Sequence, residues 1–569
     1  MFRTPSTGIP TVLALLALFW GPAAWTAARQ TDADAAIIAA EMALQRGDCA
    51  GASRDYVAAA NAATDAKLAA RATDVAFDCG QFALAADAAA HWRKLAPQSA
   101  VPILNTARAA IGRAQPLEAR APLLEWLNAK PAPDDTSVAK GIQALALAAG
   151  NDLTFATFRD LQHPRLNGAT AQLELAELAA DAYDFTQSLK YAQGAAKAGA
   201  DASEVRELRV RAYAGLGNAT QALAEARALA KDDPEQALAE AEALLSMGRD
   251  AEAEEFLQQK REDARYNLLA TRRLALLAFS RAEYAAAEKY FTELLRDQNT
   301  VAVGVYYLAL MAERRGDVDE AMKGYELLAR SGLDDGARRR VAGLYLHDGE
   351  RAQAVRLLAA ADDAGPRDRI AAELSIAELL AKGASPADAV ARLDALLQLT
   401  PGHPEISYQR AVYLERVDAG AAIEALETMH RQRPLDSSVT NALGFTLADH
   451  DRDLPRAEQL IRSALRVSPD NPAVLDSLGW VLHKRGKDAQ ALPSLQRAWR
   501  MFHDGDIGAH CGEVLWSLGR KDEARAQWRA ALAADPDSET LKATAHRRAP
   551  ELSVPVPPPH TAAGSGTAI

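Results

Sequence analysis

The sequence predicts an all-α solenoid, in which about fifteen helix pairs stack into a right-handed superhelix. Three observations carry this prediction. A unit of about 34 residues recurs along the chain, and each unit holds two apolar-periodic helices around a short turn. Alanine, the best helix former and a residue depleted in strands, supplies about 128 of the 569 residues. The chain is also longer than a single compact core normally grows, whereas a repeat array has no such limit.

The repeat is clearest over residues 436–537. A dipeptide that ends in glycine recurs there, with 35 and then 33 residues between successive copies: Leu443-Gly444, Leu478-Gly479 and Cys511-Gly512. Alanines of the second helix recur at spacings of 34 and 33: Ala457, Ala491 and Ala524. A small residue at a fixed position lets two helices approach closely, so each unit is predicted to form a helix hairpin. One hairpin cannot bury its apolar face alone, and stacking of neighbours creates a long concave wall.

The charge balance argues against a nucleic-acid binder. Acidic residues outnumber basic ones by 76 to 64, and the formal net charge is −12. A protein that binds nucleic acid needs cations to neutralise the phosphates. Three cysteines are also too few for a disulfide-stapled scaffold or for a zinc site with four cysteine ligands. Composition therefore predicts a mostly helical chain that does not bind nucleic acid.

Signatures of catalysis are missing from the sequence. It contains no phosphate-cradling glycine loop, no HExxH, no nucleophile elbow and no Cys-x-x-Cys pair. His503, His510 and Cys511 lie close together, as zinc ligands can, but Cys511 takes the slot before a repeat glycine, which faces the core. Free cysteine is commonly a small buried hydrophobe. We expect a protein that is not an enzyme and that holds neither a metal nor a cofactor.

The first residues have the layout of a secretory signal. Arg3 precedes an apolar run that ends near Trp20, and the small-residue site Thr26-Ala27-Ala28 follows. The run is shorter than the ~20 residues of a membrane-spanning helix, which favours cleavage over an uncleaved anchor. No cysteine lies near this site for lipidation. We expect residues 1–28 to be removed on export to the Gram-negative periplasm, leaving no integral span, so that any outer-membrane association runs through a partner.

After the signal, residues 29–537 are predicted to form the repeat superhelix, and residues 538–569 a helix end with a disordered tail rich in Pro, Ala and Gly. Cys49 falls at the start of the second helix of the first unit, and Cys79 at the end of the next first helix. Those two ends lie side by side in stacked repeats, and an exported chain permits oxidation. A disulfide between them is predicted; the alternative is two separate half-buried thiols.

The concave wall of the last three repeats carries the sharpest functional signal. Counted from the repeat glycine, its wall positions combine three large rings with polar groups: Asn441, Phe445, Asp449, Asp476, Trp480, His483, Lys484, Glu513 and Trp516. Rings offer apolar contact area, and the polar groups can bond a peptide backbone, which suits an extended protein segment. The alternative is that a tight superhelix buries these rings or that they pack on the C-terminal tail.

The pattern of small and aromatic residues in a 34-residue unit resembles the tetratricopeptide repeat (TPR). Segment 441–537 further resembles a proteobacterial group of exported TPR proteins, whose motifs match this chain at Asn441–Asp449, Leu475–Val481 and Ala509–Trp516. The best-described type in that group is an outer-membrane lipoprotein that binds and activates a periplasmic carboxyl-terminal processing protease and presents cell-wall hydrolases to it. The resemblance implies an adaptor for periplasmic proteolysis, although this chain lacks the lipidated cysteine of that type.

Two functions follow from these observations. The first is a non-catalytic periplasmic scaffold for protein–protein interaction, in its specific form an adaptor that activates the processing protease on cell-wall hydrolases. The second is a structural component of an envelope secretion or polysaccharide-export assembly. Such a component is expected to carry a fused barrel or an anchor, so the sequence favours the scaffold.

Overall fold

A computed structural model describes residues 22–232, 236–331, 335–347, 349–359, 365–382, 385–535 and 538–552. Over these ranges the chain forms 31 α-helices and no strand. Consecutive helices pair as hairpins, from α1 with α2 to α29 with α30, and α31 follows the last pair. The fold is therefore the predicted all-α solenoid of TPR-type helix pairs.

The first sixteen helices have these bounds: α1 Pro22–Gln45, α2 Cys49–Ala62, α3 Ala66–Asp78, α4 Phe82–Leu95, α5 Val101–Gly112, α6 Pro116–Leu127, α7 Asp135–Ala149, α8 Asn151–Phe158, α9 Ala169–Asp181, α10 Phe185–Lys197, α11 Ala202–Gly215, α12 Ala219–Asp232, α13 Ala239–Ser246, α14 Asp250–Arg261, α15 Asn267–Ser280 and α16 Tyr284–Leu294.

The remaining helices have these bounds: α17 Val301–Arg314, α18 Val318–Ser331, α19 Asp335–His347, α20 Arg351–Ala359, α21 Pro366–Lys382, α22 Pro386–Leu399, α23 Pro404–Leu414, α24 Ala419–Gln432, α25 Ser437–Asp449, α26 Leu454–Val467, α27 Pro472–Lys484, α28 Asp488–Met501, α29 Gly505–Ser517, α30 Lys521–Ala534 and α31 Glu539–Arg548. Within the described ranges, no helix combines the length and the apolar character that crossing a bilayer requires.

Capping residues fix where the first helices of the last three pairs begin. Asp436 accepts hydrogen bonds from the backbone N–H groups at the start of α25, and Asn471 does the same for α27. Asp504 repeats the pattern for α29. Each cap satisfies donors that have no partner inside the helix, and Pro472 then occupies a first-turn position where its missing N–H costs nothing. The first helices of the last three pairs therefore start in the same register.

The repeat glycine lets the two helices of a pair touch. A β-carbon on Gly444 would lie 3.0 Å from the carbonyl oxygen of Ala457, and one on Gly479 would collide with the side chain of Leu495. Ala457 and Leu495 are fully buried. Because the glycine face of each first helix packs on its second helix, the opposite face is left to form the concave wall.

The N-terminal pairs carry the cysteine pair. Cys49 begins α2, Cys79 follows α3, and the two form a disulfide across Cα atoms 5.3 Å apart. Helix α1 begins at Pro22, so the predicted cleavage site Thr26-Ala27-Ala28 falls inside a helix. Residues 1–21, with the apolar run of the predicted signal, lie outside the described residues. Cleavage after residue 28 stays a prediction.

Helix α31 closes the C-terminal end of the solenoid. Its Leu541 is fully buried and belongs to the same apolar cluster as Trp528 of the last pair. A short 3-10 turn, Pro550–Leu552, follows. Of the predicted C-terminal segment 538–569, residues 538–552 are described, and residues 553–569 lie outside the described part of the chain.

A long seam joins the N-terminal pairs to the C-terminal pairs. We use this name for the contact between helix ends in residues 44–250 and helix ends in residues 366–503. Along it, Arg369 donates to the carbonyl of Leu44 at 2.9 Å, and Gln81 donates to the carbonyl of Pro401 at 3.2 Å. The solenoid therefore coils back on itself, and its later pairs rest on its earlier ones.

Buried polar groups hold the middle of the seam. Asp152, at the start of α8, accepts hydrogen bonds from the hydroxyls of Ser437 and Ser468. The backbone N–H of Asp470 donates to the carbonyl of Tyr183 at 2.9 Å. Burial raises the pKa of Asp152, and this effect outweighs the hydrogen bonds from the two serines, which lower it. The seam is thus a specific polar interface, since each of these groups has lost water and gained a defined partner.

Candidate protein-binding groove

Five first helices, α21, α23, α25, α27 and α29, together line one groove with a volume of about 790 Å³. Because consecutive first helices form the concave wall, the groove runs across five repeats. Its apolar lining includes four aromatic rings: Tyr408, Tyr413, Phe445 and Phe502. Its polar lining includes Glu378, Gln409, Glu415, Asn441, Asp476, Asp504 and Asp506. The wall therefore offers rings and hydrogen-bonding groups over a surface that spans five repeats.

Three of the residues selected from the sequence lie in this groove: Asn441, Phe445 and Asp476. Phe445 is half-buried, and its ring lies 6.1 Å from the imidazole of His510. Asp476 is buried and faces Nδ1 of His510 at 3.0 Å. Burial lowers the pKa of His510, but the charge of Asp476 and the hydrogen bond to it outweigh burial and raise that pKa overall. The floor of the groove thus holds a buried, hydrogen-bonded histidine–aspartate pair beside a ring.

Trp480, Asp449 and Lys484 form a second cluster farther along the same wall. The indole N–H of Trp480 donates to Oδ1 of Asp449 at 2.9 Å. Lys484 donates to the carbonyl of Asp449 at 3.0 Å, and its Nζ lies 5.5 Å from the centre of the Trp480 ring. His483 lies beside this cluster, with its Nδ1 2.7 Å from Asp488. All of these side chains are only half-buried, so the cluster is accessible but already bonded internally.

Glu513 and Trp516 both contact helices that follow α29 in the chain. Glu513 is buried and accepts hydrogen bonds from Arg547 and Arg548 of α31. Trp516 is half-buried, and its ring lies 5.6 Å from that of Trp528. The structure therefore separates the nine selected residues into three sets: groove lining, an adjacent half-buried cluster, and two residues of α29 that contact α31 (Glu513) and α30 (Trp516). Partner binding by these residues stays a prediction.

One set of side chains has the composition of a metal site. Glu415, Asp449 and His450 each bring a ligand atom to within 4.8 Å of the others. Two carboxylates and an imidazole are ligands that zinc accepts. The same groups also satisfy one another, since Nε2 of His450 lies 3.4 Å from Oε1 of Glu415 and Asp449 binds the indole of Trp480. Burial, with the charge of Asp449, raises the pKa of Glu415.

The cysteine that the sequence assigns to the core is a core residue. Cys511 is fully buried in the apolar cluster of the last pairs and is not disulfide-bonded. Burial raises the pKa of its thiol to about 12, as expected for a cysteine packed among apolar side chains. His510, its neighbour, is committed to Asp476.

Sequence reasoning missed several groove residues: Glu378, Tyr408, Tyr413, Glu415 and Phe502. Helix α23 carries two of the rings, but its unit has the buried Ala411 where later units have the repeat glycine. Without that glycine, the wall positions of α23 could not be counted. In the last three pairs the N-cap lies eight residues before the repeat glycine, and His403 is the N-cap that lies eight residues before Ala411. This N-cap spacing is the signal that could have placed the wall positions of α23.

The chain is similar to known proteins over part of its length. No protein-family model matches the chain. It is 29% identical over 209 residues to a TPR repeat-containing protein of Pseudomonas aeruginosa, a match that covers 37% of this chain and 35% of that relative. It is 25% identical over 146 residues to a DnaJ homolog subfamily C member 7 homolog of Schizosaccharomyces pombe, covering 22% and 30% respectively. The chain thus spans about a third of the length of these curated relatives.

Solved structures of repeat proteins are similar over parts of the chain. A thermophilic TPR protein from Thermus thermophilus shares 24% identity, with 32% of this chain and 98% of that chain covered and a TM-score of 0.29. A tetratricopeptide repeat protein from Parabacteroides merdae shares 12% identity, with 44% and 98% covered and a TM-score of 0.32.

Proposed function

We propose that this protein is a non-catalytic scaffold that holds a protein partner along its concave groove. The observation that supports this most directly is the row of rings along the groove: Tyr408, Tyr413, Phe445 and Phe502. Phe502 is 58% exposed, which the packing of helix pairs does not require. Aromatic side chains in pockets that exclude water often contribute most of the binding energy at protein interfaces. An extended segment laid across five helices would contact all of them.

The proposed location is the periplasm of a Gram-negative cell. Support comes from the secretory layout of the first 28 residues and from the Cys49–Cys79 disulfide. Disulfides persist in oxidising compartments and are rare where thiols are kept reduced. A scaffold in that compartment would meet the exported enzymes of the cell wall.

The proposed specific role is that of an adaptor for a carboxyl-terminal processing protease acting on cell-wall hydrolases. Support comes from the resemblance carried by the motifs at Asn441–Asp449, Leu475–Val481 and Ala509–Trp516. A repeat array suits this role, because different parts of one wall can hold a protease and its substrate at the same time and raise their effective concentration.

Affinity capture of the mature protein from a periplasmic extract tests the proposal. The groove variant carries Phe445→Ala and Phe502→Ala. The matched control carries Leu117→Ala and Leu327→Ala, which remove two leucines that are 63% and 61% exposed on second helices away from the groove. We expect the native protein and the control to recover the same partner and the groove variant to lose most of it, with all three equally helical by circular dichroism.

The identity of the captured partner separates the two functions. Recovery of a carboxyl-terminal processing protease or its hydrolase substrates would support the adaptor and justify protease assays with and without the scaffold. Recovery of secretion or polysaccharide-export components without a protease would replace the adaptor with the structural role. Equal recovery by the groove variant and the control would remove the groove as the binding surface.

A further inference from the structure

The groove has a strong excess of negative charge. Five carboxylates line it (Glu378, Glu415, Asp476, Asp504 and Asp506), against one guanidinium, Arg416, and one imidazole, His510. His510 is paired with Asp476, and Arg416 donates to the carbonyl of Ala381 at 3.0 Å. Carboxylates therefore outnumber the basic groups in the lining of the groove.

Two of these carboxylates have no cationic partner among the described residues. Asp504 accepts backbone N–H groups at the start of α29, and Asp506 accepts the hydroxyl of Ser538 at 2.7 Å. They lie two residues apart, and burial together with the charges of Asp506 and Asp535 raises the pKa of Asp504. This end of the groove therefore holds like charges that a cation would stabilise.

One buried acceptor atom of the lining, Oδ1 of Asn441, also lacks a hydrogen-bond donor within the described ranges. An acceptor that is buried without a donor costs free energy, and a ligand that brings an N–H group recovers it. The occupant that suits this atom therefore carries a donor rather than an acceptor.

The aromatic rings of the groove also suit a cationic ligand that donates hydrogen bonds. Phe445 and Phe502 line the groove together with the carboxylates, and the face of an aromatic ring attracts ammonium and guanidinium groups. An arginine or lysine side chain combines an apolar stem, which can lie along a ring, with a charged end that reaches a carboxylate.

From these features we infer that the groove lined by α21, α23, α25, α27 and α29 recognises an extended, lysine- and arginine-bearing segment of its protein partner. This inference rests on the proposed scaffold function and specifies the chemistry of the segment. The cationic side chains contact Glu378, Glu415 and the Asp504–Asp506 end, while the backbone and apolar residues of the segment lie on the rings. Electrostatic complementarity of this kind sets specificity and speeds association.

Two fluorescent synthetic peptides of equal length test the inference. In one, lysine alternates with phenylalanine and glycine; in the other, glutamate replaces every lysine. Anisotropy is measured with the full-length mature protein at low salt and at several-fold higher salt. We expect the lysine peptide to bind and the glutamate peptide not to bind. We also expect the affinity for the lysine peptide to fall as salt screens the carboxylates.

A pair of matched variants distinguishes binding at the groove from general attraction by the net charge of −12. The groove variant carries Glu378→Gln and Asp506→Asn, and the control carries Glu424→Gln and Asp522→Asn on the second helices α24 and α30. Both variants lose two charges and keep side-chain size. We expect the groove variant to bind the lysine peptide about five-fold or more weakly, and the control to bind it within about two-fold of the native protein.

Each other outcome overturns the inference. Equal weakening by both variants would mean that the net charge attracts the peptide without a site. Binding of the glutamate peptide, or no binding of the lysine peptide, would mean that the groove does not select cations. The scaffold proposal is judged separately, because a partner lost by the Phe445→Ala, Phe502→Ala variant but retained by Glu378→Gln, Asp506→Asn would leave the groove as the binding surface without this charge selectivity.

Discussion

The indole ring of Trp480 stacks on the imidazole of His510, with 4.1 Å between the ring centroids and 20° between the ring planes. The two residues belong to consecutive first helices, α27 and α29. His510 also binds Asp476, and Trp480 also binds Asp449 of the preceding first helix. A ring that the sequence selects as a partner contact therefore also ties three repeats together, so its loss affects packing as well as binding.

Replacement of Trp480 by alanine is expected to lower the free energy of unfolding by about 2–4 kcal/mol, the range for removing a large ring from a partly buried position. Trp480→Phe keeps the stacked ring and loses the hydrogen bond to Asp449, which costs about 1 kcal/mol. Urea denaturation followed by circular dichroism measures both. An unchanged midpoint for Trp480→Ala, together with weaker partner capture, would show that the ring serves binding alone.

Loss of the Cys49–Cys79 disulfide is expected to destabilise the N-terminal pairs by about 3–4 kcal/mol, because the bond closes a loop of about 30 residues in the unfolded chain. The double variant Cys49→Ser, Cys79→Ser and the reduced native protein should show the same lower unfolding midpoint and faster proteolysis near α1 to α4. In the reduced native protein, the C-terminal pairs should keep their protection.

Thiol labelling provides the control for that experiment. In denaturant without reductant, the native chain should take up one label, at Cys511, and with reductant it should take up three. In the folded protein Cys511 should resist labelling, since burial raises its pKa to about 12 and suppresses the reactive thiolate. Three labels in denaturant before reduction would contradict the disulfide.

The helix pairs could be predicted from the sequence because their causes are local. Gly444 and Gly479 mark where the helices of a pair touch, and Asn471-Pro472 marks where a first helix begins. Counting from such anchors placed Phe445 and Asp476 on the wall that lines the groove. Where the anchor is absent, as at Ala411, the same counting could not start, and the rings of α23 were missed.

Contacts between distant parts of the chain could not be predicted. Glu513 occupies a wall position by counting, yet Arg547 and Arg548 cover it from a helix that lies outside the repeat pattern. The seam joins residues more than 300 positions apart, such as Arg159 and Arg466. Its register depends on the pitch of the whole superhelix, which accumulates small rotations over many pairs and is not set by any one motif.

Arg159 is expected to control the seam. Its guanidinium donates to the carbonyl oxygens of Arg466 and Val467 and lies 3.2 Å from Oδ2 of Asp184. Arg159→Ala leaves two carbonyls and a carboxylate without their donor, at a cost of about 2–3 kcal/mol. Hydrogen exchange should accelerate at the backbone amides of residues 466–471, and small-angle scattering should show a larger radius of gyration as the two parts separate.

The matched control for the seam is Arg165→Ala. Arg165 donates to the carbonyl of Pro133 at 2.8 Å within the N-terminal pairs and does not reach the C-terminal ones. Exchange at residues 466–471 and the radius of gyration should stay at their native values in this variant. Equal changes in both variants would mean that Arg159 acts by general destabilisation and not by holding the seam.

His403 is expected to make the seam sensitive to acid. Its half-buried ring lies against Gly80 of the N-terminal pairs, where a β-carbon would collide with it. Burial, with the nearby charge of Arg433, lowers the pKa of His403 to about 4, against about 6.5 in an unfolded chain. Between these pH values the unfolded state binds more protons than the folded state. The stability that neutral His403 contributes is therefore present above pH 6.5 and is lost as pH falls towards 4.

Thermal unfolding at pH 7 and at pH 4.5 measures this effect. His403→Asn removes the titrating ring and keeps a side chain that can cap α23, as Nδ1 of His403 does by accepting the N–H of Ile406. The loss of stability between the two pH values should be smaller in His403→Asn than in the native protein by about 1–2 kcal/mol. His546→Asn, at an exposed position in α31, should behave as the native protein does. An identical acid-induced loss in all three proteins would show that the His403 ring accepts a proton without strain, and the acid sensitivity of the seam would then have to come from its carboxylates.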